Sequence, residues 1–222
     1  MWVIPGMMRN NLFRALPDNR GTMKVIGITG GVGSGKTTVL KAIKETYNCI
    51  VLFADEIANA LKLPGQACYE QVVALLGEEI LDENGYIDNK KMAQVIFKDA
   101  SILQKINDII HPLVYNEIVQ TIETERTIGK IDYLFVEAAL FIEAGYKAFS
   151  DYLWYIYVPK DVRALRLKES RGYSDEKISD IMNRQLQEEA FLQACDVVID
   201  NSGSLEESMK QVKETLQKYE IM

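Results

Sequence analysis

Histidine is nearly absent from this chain. His111 is the only one, and no second ligand stands at zinc-like spacing from it. Its plain reading is a helix terminus fixed by Pro112. Cys49, Cys68 and Cys195 are the only cysteines. They are far apart and form no C-x-x-C pair, so neither a disulfide framework nor a zinc site is indicated, and thiols in a reducing cytosol are expected. No apolar run approaches membrane-spanning length. An excess of positive charge is missing as well. The formal net charge is −7, which argues against wide nucleic-acid or anionic-membrane surfaces. A phosphorylated ligand must then be met by locally clustered Lys and Arg. There is no internal repeat and no low-complexity tract.

What is present is an ordinary globular composition, 48% hydrophobic and 26% charged over 222 residues. That length suits one α/β domain with an inserted helical part. Residues 1–22 carry Arg9, Arg14 and Arg20 but no serine. They read as a disordered extension or a mis-assigned start, with the fold beginning at Met23.

The organising stretch is Gly30-Gly31-Val32-Gly33-Ser34-Gly35-Lys36-Thr37-Thr38, which fits the phosphate-cradling P-loop pattern G-x-x-x-x-G-K-[ST]. Its flanks agree with it. Lys24 to Thr29 reads as a buried parallel strand, and Val39, Leu40, Ile43 and Tyr47 mark one face of a following helix. Gly30, Gly31, Gly33, Ser34, Gly35, Lys36, Thr37 and Thr38 are therefore expected to bind a nucleoside triphosphate. Backbone N–H groups and the helix N-terminus would meet its phosphates. The Lys36 ammonium would bridge β- and γ-phosphate oxygens, and the Thr37 hydroxyl would ligate Mg²⁺.

Further along, Ile50 to Phe53 reads as a second buried strand that delivers Asp55 to its carboxyl end, where ligands sit in open α/β sheets. From Ala58 to about Ile128 strands disappear and helical spacing takes over. Gly77 ends one helix, Asp82-Glu83-Asn84-Gly85 makes a turn, and Asn89 is expected to cap the next helix. A further helix should stop before His111-Pro112 and resume at Leu113. Tyr133 to Val136 is a third strand delivering Glu137, Leu153 to Val158 a fourth, and Val197 to Ile199 a fifth. Asp161 should cap a helix ending near Arg171-Gly172. Ser174 opens another that runs past Arg184, and Ser204 with Glu207 forms a capping box before the last. The expected fold is α/β: a P-loop kinase with about five parallel strands flanked by helices, a helical insertion and an arginine-bearing lid.

Phosphoryl transfer also needs an oriented hydroxyl, a metal, and positive charge on the transition-state oxygens. Asp55 is placed to orient the acceptor hydroxyl or accept its proton; the competing reading is a helix N-cap. Glu137 could hold a magnesium-bound water or be a solvated loop carboxylate. Arg163, Arg166 and Arg171 are candidates for closing over the phosphates, with Arg166 and Arg171 favoured for catalysis.

With these pieces placed, the chain resembles the dephospho-CoA kinases. The resemblance is carried by Gly27 to Lys36, Ala54-Asp55, Pro64-Gly65, Gly77 to Leu81, Asp82 to Asp88, Ile109 to Pro112, Leu140 to Glu143, Arg166-Leu167 with Arg171, Asn183-Arg184-Gln185 and Asp196 to Gly203. It spans Met23 to Gln217 and implies transfer of the γ-phosphoryl of ATP to the ribose 3′-hydroxyl of dephospho-CoA, giving CoA and ADP. It implies Asp55 as the catalytic carboxylate and Asn201 to Gly203, including Gly203, near the adenine of ATP. The implied division is a core of 23–57, 129–161 and 195–222, an acceptor-binding insertion of 58–128 and a lid of 162–194. The expected partners are ATP and dephospho-CoA, with no nucleic acid and no membrane, in a cytoplasmic monomer or weak homo-oligomer. Three positions depart from the family pattern: Asn89 replaces an arginine, Asn107 an acidic residue and Ala139 a proline. Lys90 or Lys91 could replace the missing charge.

Two other readings share parts of this pattern. A regulatory GTPase would explain Asp82 to Gly85 as D-x-x-G, but Asn89-Lys90-Lys91-Met92 fails the guanine-reading N-K-x-D at its last position. Another P-loop kinase, of a nucleoside, nucleotide or shikimate, shares the loop, the carboxylate and the lid.

Overall fold

Short β-branched and aromatic runs bounded by polar turns become five strands: β1 (Lys24–Thr29), β2 (Cys49–Phe53), β3 (Tyr133–Glu137), β4 (Tyr152–Tyr157) and β5 (Val197–Asp200). They pair in the order β2-β3-β1-β4-β5, every pair parallel. The computed structural model describes residues 23–98 and 100–221, so the expectation for residues 1–22 lies outside the described residues. Parallel pairing requires crossover connections, and helices supply them on both faces.

On one face α1 (Lys36–Thr46) and α9 (Leu205–Ile221) pack Val39, Leu40, Ile43, Val212 and Leu216 against Ile26, Ile28, Phe135 and Trp154. The buried Trp154 indole N–H donates to the Tyr219 hydroxyl at 2.9 Å, which satisfies the one polar atom of that ring. On the other face α2 (Ala54–Leu61) and α5 (Ala100–Ile128) pack on Leu134, Val136, Phe141 and Leu153. A separate small core gathers Cys68, Val72, Leu76, Ile80 and Ile106 from α3 (Tyr69–Leu76), α5 and the turn between them, with α4 (Asn89–Lys98) packed on it. After β4 come α6 (Lys160–Arg171), α7 (Asp175–Asn183) and α8 (Glu188–Ala194), where Leu167, Ile178 and Met182 pack with Val32 of the glycine loop.

Several local expectations are corrected. The helix does not stop at His111-Pro112: α5 continues through Pro112 for 29 residues. Proline costs this helix one backbone hydrogen bond, but Ile106 before it and Val114, Ile118 and Ile122 after it are all buried. Two cores grip the same helix, and that burial outweighs the local penalty. β2 is an edge strand of half-buried residues, not a buried one. Asn89 does not cap α4; the Asp88 carboxylate does, accepting the Lys90 and Lys91 N–H groups at 2.7 and 3.2 Å. Asp161 lies inside the first turn of α6, whose N-cap is Pro159. α7 ends at Asn183 with Arg184 as its C-cap, so it does not run past Arg184. The Ser174 cap and the Ser204–Glu207 capping box form as expected. Cys68 is buried, Cys49 and Cys195 are partly so, and all three are free.

Gly27, in the middle of β1, shows why the strand needs a residue without a side chain there. A Cβ would collide with the Phe141 ring and lie 2.9 Å from Leu153 Cδ1, and both neighbours are fully buried. Gly27→Ala should cost about 1–3 kcal/mol through overpacking. Thermal unfolding should register this as a drop of roughly 2–4 °C per kcal/mol; an unchanged midpoint would contradict the packing account.

Candidate active site

β1 hands the chain to the glycine loop, and α1 begins at Lys36. Gly35, its N-cap, has φ 82° in the left-handed region. A Cβ there would also stand 2.5 Å from the Asn201 Nδ2, so both backbone and space demand glycine. At Gly31 the guanidinium of Arg163 fills the place a Cβ would take. Within the loop the Ser34 hydroxyl is buried without a hydrogen-bond partner, as is the Arg163 Nε. Buried donors without partners are costly. These two belong to a cradle whose other donors are loop N–H groups at a helix N-terminus, so the residues fit a phosphate. Thr37 and Thr38 are exposed at the start of α1.

The registers gather the acidic groups. Phe53 of β2 lies opposite Glu137 of β3, which lies opposite Ile28 of β1. The carboxyl ends of three neighbouring strands thus bring Asp55, Glu137 and Lys36 to one edge. The Lys36 ammonium donates to the Gly30 carbonyl at 2.8 Å and stands 3.5 Å from Glu137 Oε1, with the two side chains 11% and 12% exposed. Burial holds the Lys36 pKa below the usual lysine value, opposed by the charges of Glu137 and then Asp55. Burial also pushes the Glu137 carboxyl up, opposed by Lys36, while Asp55 pushes it further. Asp55 itself is exposed, in the first turn of α2. The N-cap of that helix is Phe53, so capping does not explain Asp55. Among the described residues no group of three or more His, Cys, Asp or Glu could hold a metal ion by itself. Mg²⁺ commonly binds through one or two carboxylates together with substrate phosphates, so Thr37 and Glu137 at this edge fit such a site.

The three arginines separate. Arg163 lies on the loop at Gly31 and donates to the Gln185 Oε1 at 3.3 Å. Arg166 donates to the carbonyls of Asn201 and Ser202 at 2.9 and 3.4 Å, beside Gly35. Arg171 sits at the far end of α6, 5.9 Å over the Tyr173 ring. Asn201 is buried, and both ends of its amide are engaged. Its Nδ2 donates to the Ser34 carbonyl at 2.7 Å, and its Oδ1 accepts from the Ser208 hydroxyl at 2.7 Å. Gly203, two residues on, is exposed.

Sequence reasoning did not assign roles to Gln185 and Ser208. Gln185 Oε1 accepts the Val32 N–H at 3.2 Å as well as Arg163, tying the loop to the α7–α8 connection across 153 positions. No periodicity or motif spacing signals a contact of that kind. The cation beside Asn89 was also missed: it is Lys62, donating to the Asn89 Oδ1 at 3.0 Å, whereas the Lys91 ammonium bonds to the Leu81 carbonyl.

A parallel sheet with a P-loop after its central strand, and a lysine, two carboxylates and two arginines at its carboxyl edge, defines a P-loop phosphotransferase. Comparison with known proteins narrows the class. A family profile described as dephospho-CoA kinase matches residues 24–207, and the chain belongs to that family. It is 38% identical over 194 residues to the dephospho-CoA kinase of Aquifex aeolicus, covering 86% of this chain and 95% of that protein. The corresponding protein of Carboxydothermus hydrogenoformans is 35% identical over 197 residues, covering 89% and 95%. Among solved structures, a Thermus thermophilus protein superposes with a TM-score of 0.74 at 26% identity, covering 89% of this chain and 98% of that one. The shikimate kinase of Acinetobacter baumannii shares the fold, at a TM-score of 0.50 and 14% identity with 89% and 95% coverage. The chain is thus an ATP-using kinase with an alcohol acceptor.

Asn201→Asp keeps the shape but replaces the donor to Ser34 with a carboxylate. Loss of a buried hydrogen bond should cost about 1–3 kcal/mol and, by loosening the loop, raise KM for ATP about tenfold. Steady-state kinetics and a thermal melt check this; wild-type values for both would show that the Asn201–Ser34 contact does not set the loop.

Proposed function

We propose that this chain transfers the γ-phosphoryl of ATP to the ribose 3′-hydroxyl of dephospho-CoA, giving CoA and ADP, at the edge formed by Lys36, Glu137 and Asp55. The observation that carries this reading is the convergence of those three residues beside the loop in a chain of the dephospho-CoA kinase family. The glycine loop and the α1 N-terminus hold the triphosphate, and Lys36 meets its β- and γ-oxygens. Asp55, exposed and within the electrostatic reach of that ammonium, orients the acceptor hydroxyl and accepts its proton as the new O–P bond forms while the bond from the γ-phosphorus to the β-phosphate oxygen breaks and ADP leaves in line. Arg163 and Arg166 already flank the loop and supply charge to the transferring oxygens. Arg171 would join them by movement of α6 and α7. Thr37, and Glu137 through a water, would hold Mg²⁺, which neutralises phosphate charge when bound.

The proposed division of labour runs along the chain. Residues 23–57, 129–161 and 195–222 form the donor core, 58–128 the acceptor-binding insertion and 162–194 the lid. Asn201 to Gly203, beyond Arg166, would border the adenine of ATP, with the Asn201 side chain reserved for the loop. A cytoplasmic monomer or weak homo-oligomer is part of this proposal; among the described residues no helix is long and apolar enough to cross a membrane.

Asp55→Asn removes the proton acceptor while keeping size. Turnover should fall by roughly two to four orders of magnitude, with ATP affinity measured by calorimetry unchanged. Near-normal turnover would remove Asp55 from the chemistry. Lys36→Ala should weaken both nucleotide binding and turnover, and unchanged kinetics would contradict the phosphate assignment of the loop.

A further inference from the structure

Seven residues after Asp55, α2 ends at Lys62, which serves as its C-cap. Seven residues are two helical turns, so Lys62 and Asp55 lie on one face of α2, about 10 Å apart along its axis. The Lys62 ammonium is not free to wander. It donates to the Asn89 Oδ1 at 3.0 Å, which links α2 to the first residue of α4, the only helix with which α2 shares this bond among the described residues. Lys62 is half-buried, and it makes no ion pair with any described carboxylate. A partly desolvated cation that takes a neutral amide oxygen as its partner keeps its charge uncompensated. Burial holds its pKa below the ordinary lysine value, and Asp55 is near enough to oppose that shift electrostatically.

An acid and an uncompensated cation, two turns apart on one helix face, match an acceptor with a hydroxyl at one end and an anion at the other. We propose that Lys62 is the specificity-determining residue that binds the 5′-diphosphate of the acceptor while Asp55 engages its ribose 3′-hydroxyl. The ribose then spans the gap between them, and Asn89 positions the ammonium. This inference rests on the acceptor reaction proposed above. The alternatives nearby do not offer the same arrangement. The Lys91 ammonium is occupied by the Leu81 carbonyl, and Lys90 is exposed in the first turn of α4.

The test is steady-state kinetics on the full chain with ATP and two acceptors, dephospho-CoA and adenosine, which lacks the diphosphate. Lys62→Ala and Lys62→Met should raise KM for dephospho-CoA about ten- to a hundredfold, the value of a charge-assisted contact. KM for ATP and the activity with adenosine should stay unchanged, and Lys62→Arg should restore most of the affinity. Both truncations replace a half-exposed side chain, and a thermal melt confirms that they are folded. An unchanged KM for dephospho-CoA in folded Lys62→Ala and Lys62→Met would overturn the assignment, as would an equal rise for adenosine or ATP. If wild-type protein phosphorylated neither acceptor, the proposed reaction itself would fall, an outcome distinct from a Lys62 variant that behaves as wild type.

Discussion

A lysine whose side chain is only 11% exposed must have its charge compensated where it sits, and the site is arranged around that requirement for Lys36. The Gly30 carbonyl and Glu137 take the charge directly, and Asp55 adds to the field. Those partners can meet Lys36 only because β1, β2 and β3 are parallel and in register, so that their carboxyl ends finish at one level. Glu137 is pulled in two directions, raised by burial and lowered by Lys36. The pair therefore forms a coupled electrostatic unit, and in the proposed reaction the triphosphate would compete with Glu137 for the same ammonium.

Around this unit the loop is gripped from the side opposite Asp55. Asn201 ties the Ser34 carbonyl to α9 through Ser208. Gln185 ties the Val32 N–H to the α7–α8 connection and to Arg163. Arg166 donates to the carbonyls of Asn201 and Ser202. The helices α6 and α7 with the residues that follow them, the loop and the β5–α9 turn are therefore one hydrogen-bonded network, in which pulling on one member disturbs the others. Movement of α6 and α7 cannot leave the loop unaffected, because Leu167, Ile178 and Met182 pack with Val32.

Much of the fold was legible because its signals are local. The β1 run, the Gly30 to Lys36 spacing and the apolar stripe of α1 lie within about two dozen residues and need no tertiary information. The placement of Asp55 just past β2 was readable because strand-end position is itself a local property. Pro112 misled because a single-residue rule was set against the burial of Val114, Ile118 and Ile122 in one core and Ile106 in another, which only the assembled structure reveals. Asn89 misled for a smaller reason: Asp88, one residue earlier, has the better carboxylate acceptor. Gln185 and Ser208 were invisible, since their partners stand 153 and 7 positions away with no pattern that announces a contact. Asn201 was noticed for its neighbourhood, while its bond to Ser34 spans 167 positions.

In the proposed reaction the loop serves the donor, and the helices between β2 and β3 select the acceptor, dephospho-CoA. The direct measurement is ADP release from ATP by the purified full chain with dephospho-CoA, adenosine, a nucleoside monophosphate or shikimate as the offered alcohol. Dephospho-CoA should give rapid ADP release with CoA as the product, adenosine weak but measurable release, and the nucleoside monophosphate and shikimate negligible release. Turnover confined to one of the other acceptors would contradict dephospho-CoA as the acceptor.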